Sequence, residues 1–229
     1  MCGISGFIDH HQSPEQAKRL IDAMLEKIAH RGPDARSVFV DPKVALGHNR
    51  LSIIDLSEEG TQPMHYFDAV IVFNGEIYNY IELKKELQAK GVQFKTDSDT
   101  EVVLAAYRTY GTECVQHFVG MWAFAIWDKL TSSLFCSRDR FGIKPFNYIL
   151  EDHRFYFASE YKALKEAPIF KPELNMNQVY RGLQLGWISY DDETYYKCIQ
   201  SLPAACNMTY SNGNVRIEGC GCGPSRNRA

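Results

Sequence analysis

The 229-residue sequence predicts an α+β fold in which antiparallel strands build sheets that pack in layers against helices. Three observations carry this. Short runs rich in β-branched and aromatic residues recur at 3–8, 37–40, 44–48, 69–73, 122–127, 133–137, 147–150 and 154–158. Some are joined by only a few polar residues, Asp128-Lys129-Leu130-Thr131 and Glu151-Asp152-His153, which suits hairpins. The helical patterns stand in stretches of their own instead of alternating with each strand, as parallel βαβ units would require.

Taken in order, the strand Gly3 to Ile8 opens the chain. Ser13-Pro14-Glu15-Gln16 then reads as a helix start, with Ser13 as N-cap, Pro14 where a missing N–H costs nothing, and Gln16 reaching back as in a capping box. Ala17, Leu20, Ile21, Met24, Leu25 and Ile28 follow at helical spacing and form one apolar stripe. A second helix fits Tyr80 to Lys90, with Asn79 as N-cap and Gly91 as stop. A third fits Asp99 to Tyr110, opened by a Ser98-Asp99-Thr100-Glu101 box and closed by Gly111. From Ala167 onward the pattern weakens, and 219–229 reads as an irregular tail.

Composition bounds the function. With 45% hydrophobic residues the chain can bury a full core. Its 25 basic and 28 acidic residues give a net charge of −3 without a basic patch, so no nucleic-acid partner is expected. The longest apolar run, Val119 to Trp127, is too short for a membrane helix, and the N-terminus has no charged leader, so a cytoplasmic location is expected. Seven scattered cysteines, an odd number, read as reduced thiols. Cys220 and Cys222 do not make up a four-ligand zinc site, and no metal is expected.

Several residues could carry chemistry. Cys2 follows the initiator Met, and removal of Met1 would place a thiol and an α-amine on one residue. An α-amine titrates at about 7.7–8.0, near enough to neutral to move a proton for a thiol of about 8.5. Asn74-Gly75-Glu76-Ile77-Tyr78-Asn79 follows a buried run; it reads either as a plain strand-to-helix turn or as two converging donors of an oxyanion hole. Arg50 offers a planar fork for a carboxylate or a surface salt bridge. Asp99 could cap its helix or bind an amino group. His30-Arg31-Gly32-Pro33-Asp34 could anchor a loop over a site or only end a helix.

In this order these segments resemble the N-terminal glutaminase domain of asparagine synthetase, a class II glutamine amidotransferase of the N-terminal nucleophile hydrolase type. The likeness runs from Met1-Cys2-Gly3-Ile4-Ser5-Gly6 through Arg50-Leu51-Ser52-Ile53-Ile54-Asp55 and Asn74-Gly75-Glu76-Ile77-Tyr78-Asn79. It continues to Arg138-Asp139-Arg140-Phe141-Gly142-Ile143-Lys144-Pro145 and Ala158-Ser159-Glu160-Tyr161-Lys162-Ala163-Leu164, about three quarters of the chain. The resemblance implies a four-layer αββα sandwich with two packed antiparallel sheets. It also implies glutamine hydrolysis, with Cys2 as nucleophile and Asn74 and Gly75 holding the oxyanion. Arg50 would grip the α-carboxylate, Asp99 the α-amine, and Leu51, Ser52, Ile53, Ile54 and Glu76 would line the pocket. No cofactor is implied in this domain, assigned to residues 2–218. ATP and Mg would belong to a synthetase domain, the expected partner, whose Ser-Gly-Gly-Leu-Asp-Ser motif is absent from the 229 residues. Leu202-Pro203-Ala204-Ala205 departs from the family's Leu-Pro-Pro-Gly. A homodimer is compatible with the resemblance. Two other readings stand beside it: the glutaminase of another class II amidotransferase, and an idle glutamine-binding or partner-docking module if Met1 is retained.

Overall fold

A computed structural model of the chain describes residues 1–52, 60–186 and 191–219. The first sheet contains β1 (Gly3–Ile8), β2 (Ala35–Asp41), β3 (Val44–Arg50), β8 (Asn147–Glu151), β9 (Arg154–Ala158) and β10 (Gln200–Ser201), in the order β10-β8-β9-β1-β3-β2. The second contains β4 (Met64–Tyr66), β5 (Ala69–Ile77), β6 (Gly120–Asp128), β7 (Ser133–Arg138), β11 (Cys206–Ser211) and β12 (Asn214–Gly219), in the order β12-β11-β7-β6-β5-β4. The pairings are antiparallel. The helices are α1 (Pro14–Lys27), α2 (Tyr80–Ala89), α3 (Asp99–Tyr110), α4 (Tyr161–Leu164) and α5 (Met176–Leu185).

Three buried clusters stack these elements into helix, sheet, sheet and helix. Ile21, Met24 and Leu25 of α1 pack on Phe7, Ala45 and Tyr156 of the first sheet. Val102, Val103 and Ala106 of α3 and Leu83 and Leu87 of α2 pack with Ile71, Phe73 and Phe124 of the second. Between the sheets lie Ile4, Ile8, Val44, Leu46, Val70, Val72, Ala125 and Trp127. Strand alternation sorts them: on β5, Val70 and Val72 face the other sheet while Ile71 and Phe73 face the helices. Both faces are covered, so β5 reads as a continuous apolar run rather than an alternating one.

The expected elements hold with adjustments. The Ser13 capping box forms, Ser13 N–H to Gln16 Oε1 at 2.8 Å and Gln16 N–H to Ser13 Oγ at 3.3 Å. Asn79 does not cap α2 with its side chain; Nδ2 donates to His117 O and Oδ1 accepts from Val119 N–H, because the neighbouring loop offers bare backbone groups. Ser98 caps α3 through Thr100 N–H, but Glu101 turns away to accept from the N–H groups of Lys95 and Thr96, so the box is half formed. The weakly patterned C-terminal part holds α5 and three further strands, and Gly219 closes β12 instead of opening a tail. Cys206 to Ser211 and Asn214 to Gly219 are polar strands at a sheet edge, where apolar periodicity is diluted. Residues 220–229, with Cys220 and Cys222, lie outside the described residues. Among the described residues no two cysteines form a disulfide, no cluster of His, Cys, Asp or Glu could hold a metal, and no helix is long and apolar enough to cross a membrane.

Candidate active site

The site is the inter-sheet core continued in polar residues. Cys2 stands two positions before Ile4 and four before Gly6, so it keeps the inward parity of Ile4 and Ile8. His48 and Arg50 continue the inward series Val44 and Leu46 on β3, and Asn74 continues Val70 and Val72 on β5. Where the apolar side chains stop, a cavity of about 260 Å³ opens, and Cys2, His48, Arg50, Leu51, Asn74, Gly75, Glu76, Asp99 and Lys144 all line it. Two larger recesses, of about 490 and 550 Å³, lie elsewhere and do not contain Cys2.

The Cys2 sulfur lies against the Leu51 backbone. Leu51 N–H donates to Cys2 Sγ at 3.4 Å, and the thiol faces Leu51 O at 3.7 Å. Burial pushes the Cys2 thiol up, against the pull of the Leu51 N–H and of the positive charges on the chain terminus, Arg50 and Lys144. The sulfur therefore rests as a thiol near neutral pH. Arg31 Nε donates to Cys2 O at 3.0 Å while its Nη1 pairs with Glu160 at 3.0 Å, so the Cys2 carbonyl is clamped. Asp34 accepts from Ser52 N–H at 2.7 Å, and Asp34 N–H donates to Arg50 O at 3.0 Å. The His30 to Asp34 segment is thus an anchor for both Cys2 and the strand end carrying Arg50. Gly32 permits this closeness: a Cβ there would fall 2.2 Å from Asn49 O.

Asn74 and Gly75 sit on a strand, not in the turn the residue types suggested. β5 runs through Asn74 and Gly75 to Ile77, paired with β6 throughout. Phe73, Gly75 and Ile77 turn their backbone groups away from β6, as alternation demands. Phe73 N–H is taken by Gln62 Oε1 at 2.6 Å and Ile77 N–H by Asp99 Oδ2 at 3.0 Å, which leaves the N–H of Gly75 between them directed at the cavity. Gly75 is also the only residue type that fits: a Cβ would lie 2.5 Å from Met121 O and 2.8 Å from Trp122 Cα. Asn74 is buried, and its Nδ2 has no hydrogen-bond partner among the described residues. An unpaired buried donor costs free energy. It is tolerated here at the wall of a cavity beside a thiol.

Arg50 is 8% exposed, so the surface salt-bridge alternative falls away. Asp99, in the first turn of α3, reaches back to accept from Ile77 N–H of β5, while Ser98 is the N-cap. Burial and the charge of Glu76 push its carboxyl up to about 6, against the N–H groups of Ile77 and Thr100. Arg50 and Asp99 thus supply one cation and one anion to the same cavity, the pattern an α-amino acid needs. Ser52 does not line it; Ser52 N–H is spent on Asp34. Ile53 and Ile54 lie outside the described residues.

Residue types alone did not single out His48, Gln62 or Lys144. His48 shares the parity of Arg50 and could have been found by extending the strand pattern two residues back. Lys144 is brought in by Arg138 to Lys144: the Asp139 carboxylate accepts from the N–H groups of Trp122, Phe141, Ile143 and Lys144, and Arg138 donates to the carbonyls of Gly142, Lys144 and Leu202. No local signal marks Gln62.

Comparison with known proteins agrees with this arrangement. A family model for the glutamine amidotransferase domain matches residues 1–219. The chain is similar to asparagine synthetase [glutamine-hydrolyzing] 3 of Bacillus subtilis, 38% identical over 221 residues that cover 95% of this chain and 36% of the relative. It is also similar to asparagine synthetase [glutamine-hydrolyzing] 1 of the same organism, 50% identical over 171 residues that cover 73% of this chain and 27% of the relative. The chain therefore spans about a third of the length of these relatives. Among solved structures, glutamine phosphoribosylpyrophosphate amidotransferase from B. subtilis superposes with a TM-score of 0.71 at 19% identity, covering 97% of this chain and 50% of that one, a likeness of fold. With the family model spanning both sheets and every residue of the cavity, the chain belongs to the glutamine amidotransferase domain family.

Proposed function

We propose that the chain, with Met1 removed, hydrolyses glutamine to glutamate and ammonia through a γ-glutamyl thioester on Cys2. The observation that carries this reading is the buried Nδ2 of Asn74, without a partner among the described residues, beside Gly75 and in the same cavity as Cys2. Arg50 holds the substrate α-carboxylate, and Asp99, with Glu76, holds the α-ammonium. The Cys2 α-amine accepts the thiol proton as sulfur attacks the side-chain amide carbon. The tetrahedral oxyanion takes hydrogen bonds from Asn74 Nδ2 and Gly75 N–H, donors already in place before charge develops. Collapse breaks the C–N bond, and the proton held on the α-amine leaves with ammonia. Water then cleaves the thioester, giving glutamate and the free thiol.

The likeness to asparagine synthetases supports a synthetase domain, with its own ATP and Mg, as the consumer of this ammonia. Met1 itself lines the cavity, which favours the idle-module reading for a chain that keeps it. Two measurements test the proposal: the N-terminal mass of the purified chain, and ammonia release from glutamine without ATP. The chain beginning at Cys2 releases ammonia, whereas Cys2→Ala, which removes the nucleophile and little volume, does not. Turnover persisting in Cys2→Ala would overturn the assignment.

A further inference from the structure

His48 is a fully buried ring that the thioester chemistry leaves without a task, although it lines the cavity. It stands on β3 in the first sheet, and its Nε2 lies 3.2 Å from Phe73 O on β5 in the second. A carbonyl only accepts, so Nε2 carries the proton and Nδ1 keeps its lone pair. Nδ1 is buried and has no partner among the described residues, so nothing there competes for the opposite tautomer. Burial and the nearby charge of Arg50 pull the ring down to about 3, so it is neutral at working pH and no proton shuttle.

The acceptor it chooses is informative. Phe73 immediately precedes Asn74 and stands two residues before Gly75 on the same strand edge. Its other edge group, the N–H, is taken by Gln62 Oε1, and Gln62 Nε2 is in turn bonded to Thr100 Oγ1 at 3.2 Å. Both backbone groups of the residue leading into the oxyanion donors are therefore fixed by buried side chains, one from the opposite sheet. Between β3 and β5 at this end there is no strand ladder; they belong to different sheets.

We propose that His48 is a positioning residue for glutamine hydrolysis, strapping β5 to β3 through the Phe73 carbonyl so that Asn74 Nδ2 and Gly75 N–H converge on the carbon attacked by Cys2. The proposal rests on the hydrolytic reading above and adds to it a residue that acts through the Phe73 carbonyl. A displacement of about an ångström at such a site can cost roughly 10²-fold in rate without loss of substrate binding.

The test uses the full chain with Met1 removed and two variants. Gln places an N–H donor where Nε2 stands; Leu fills the space and donates nothing. His48→Leu lowers kcat for glutamine by about 10²-fold with KM changed little, and His48→Gln recovers most of that loss. In ¹⁵N spectra at neutral pH the His48 ring shows a protonated Nε2 and a bare Nδ1. The Asn74 side-chain and Gly75 backbone resonances move in His48→Leu and stay near their wild-type positions in His48→Gln. Equal kcat in all three proteins overturns the proposal, as does a His48→Gln variant as impaired as His48→Leu. A ring protonated on Nδ1 also overturns it, and this readout stands even if His48→Leu fails to fold. If the wild-type chain releases no ammonia while the ring and the Asn74 and Gly75 resonances behave as stated, the hydrolytic reading fails and the strap survives.

Discussion

The two ends of the space between the sheets are built from the same strand positions and differ only in chemistry. At one end Val44, Leu46, Val70, Val72, Ala125 and Trp127 interdigitate and exclude water. At the other, the next inward positions are His48 and Arg50 on β3, Asn74 on β5 and Cys2 just ahead of β1, and they line a cavity. The apolar end contributes stability; the polar end carries charges and an unpaired donor that stability alone would not select. The active site is the core with its filling changed.

That contrast is tested most sharply on β5, where Val72 and Asn74 share a face two residues apart. Asn74→Ala removes an oxyanion donor and lowers kcat for glutamine by about 10²–10³-fold. Because Asn74 Nδ2 has no partner to lose among the described residues, the same change leaves unfolding stability unaltered or raised. Val72→Ala does the reverse: it removes two buried methyl groups, costs roughly 1.5–3 kcal/mol in denaturant unfolding, and leaves kcat nearly intact. Equal losses of stability in both variants would erase the distinction between the ends.

The next expected effect falls on binding. Arg50→Ala strips the α-carboxylate of a charge-assisted partner, a loss of about 1.5–3 kcal/mol that appears as a steeply raised KM for glutamine. Its kcat at saturation falls less than that of Asn74→Ala, because the carboxylate is held equally in ground and transition states. Steady-state kinetics of the two variants side by side decide it. A kcat loss in Arg50→Ala as deep as in Asn74→Ala, at unchanged KM, would remove Arg50 from the binding role.

The apolar end was readable in the sequence and the polar end only partly, for a physical reason. Hydrophobic periodicity reports which positions lose water, so Gly3 to Ile8 and Arg154 to Ala158 come out with the strand limits the structure shows. It is silent where a strand continues in polar residues. β3 therefore extends through Asn49 and Arg50 beyond the apolar run, and β5 extends through Asn74 to Ile77 where residue types suggest a turn. Cys2, Arg50, Asn74, Gly75 and Asp99 stand out by residue chemistry and by the order of their segments along the chain, not by periodicity, and the structure brings the five to one cavity. Gln62 and the Asp139 loop act through backbone groups far away in sequence, Phe73 for one and Trp122 for the other, and no local signal encodes such a partner.

The smallest expected effect concerns pH and tests whether the polar end works at a cost to stability. Asp99 holds its proton up to about 6 in the folded chain, against 3.8 for an ordinary aspartate, through burial and the charge of Glu76. Its carboxylate, the form that pairs with an α-ammonium, is lost as pH falls through about 6, so kcat/KM for glutamine declines on that acid limb. The stability sign is opposite. The native state binds this proton more tightly than the unfolded chain, so Asp99 contributes less favourably as pH rises from about 4 to about 6 and remains unfavourable above it. Asp99→Asn, which keeps an acceptor for Ile77 N–H, thus abolishes the limb, raises KM and raises Tm at neutral pH. Glu76→Gln removes the neighbouring negative charge and moves the limb to lower pH, with KM for glutamine raised as well because Glu76 shares the α-ammonium. An acid limb that stays near 6 in both variants belongs to another group, and the pairing of Asp99 with the substrate amine would then be wrong.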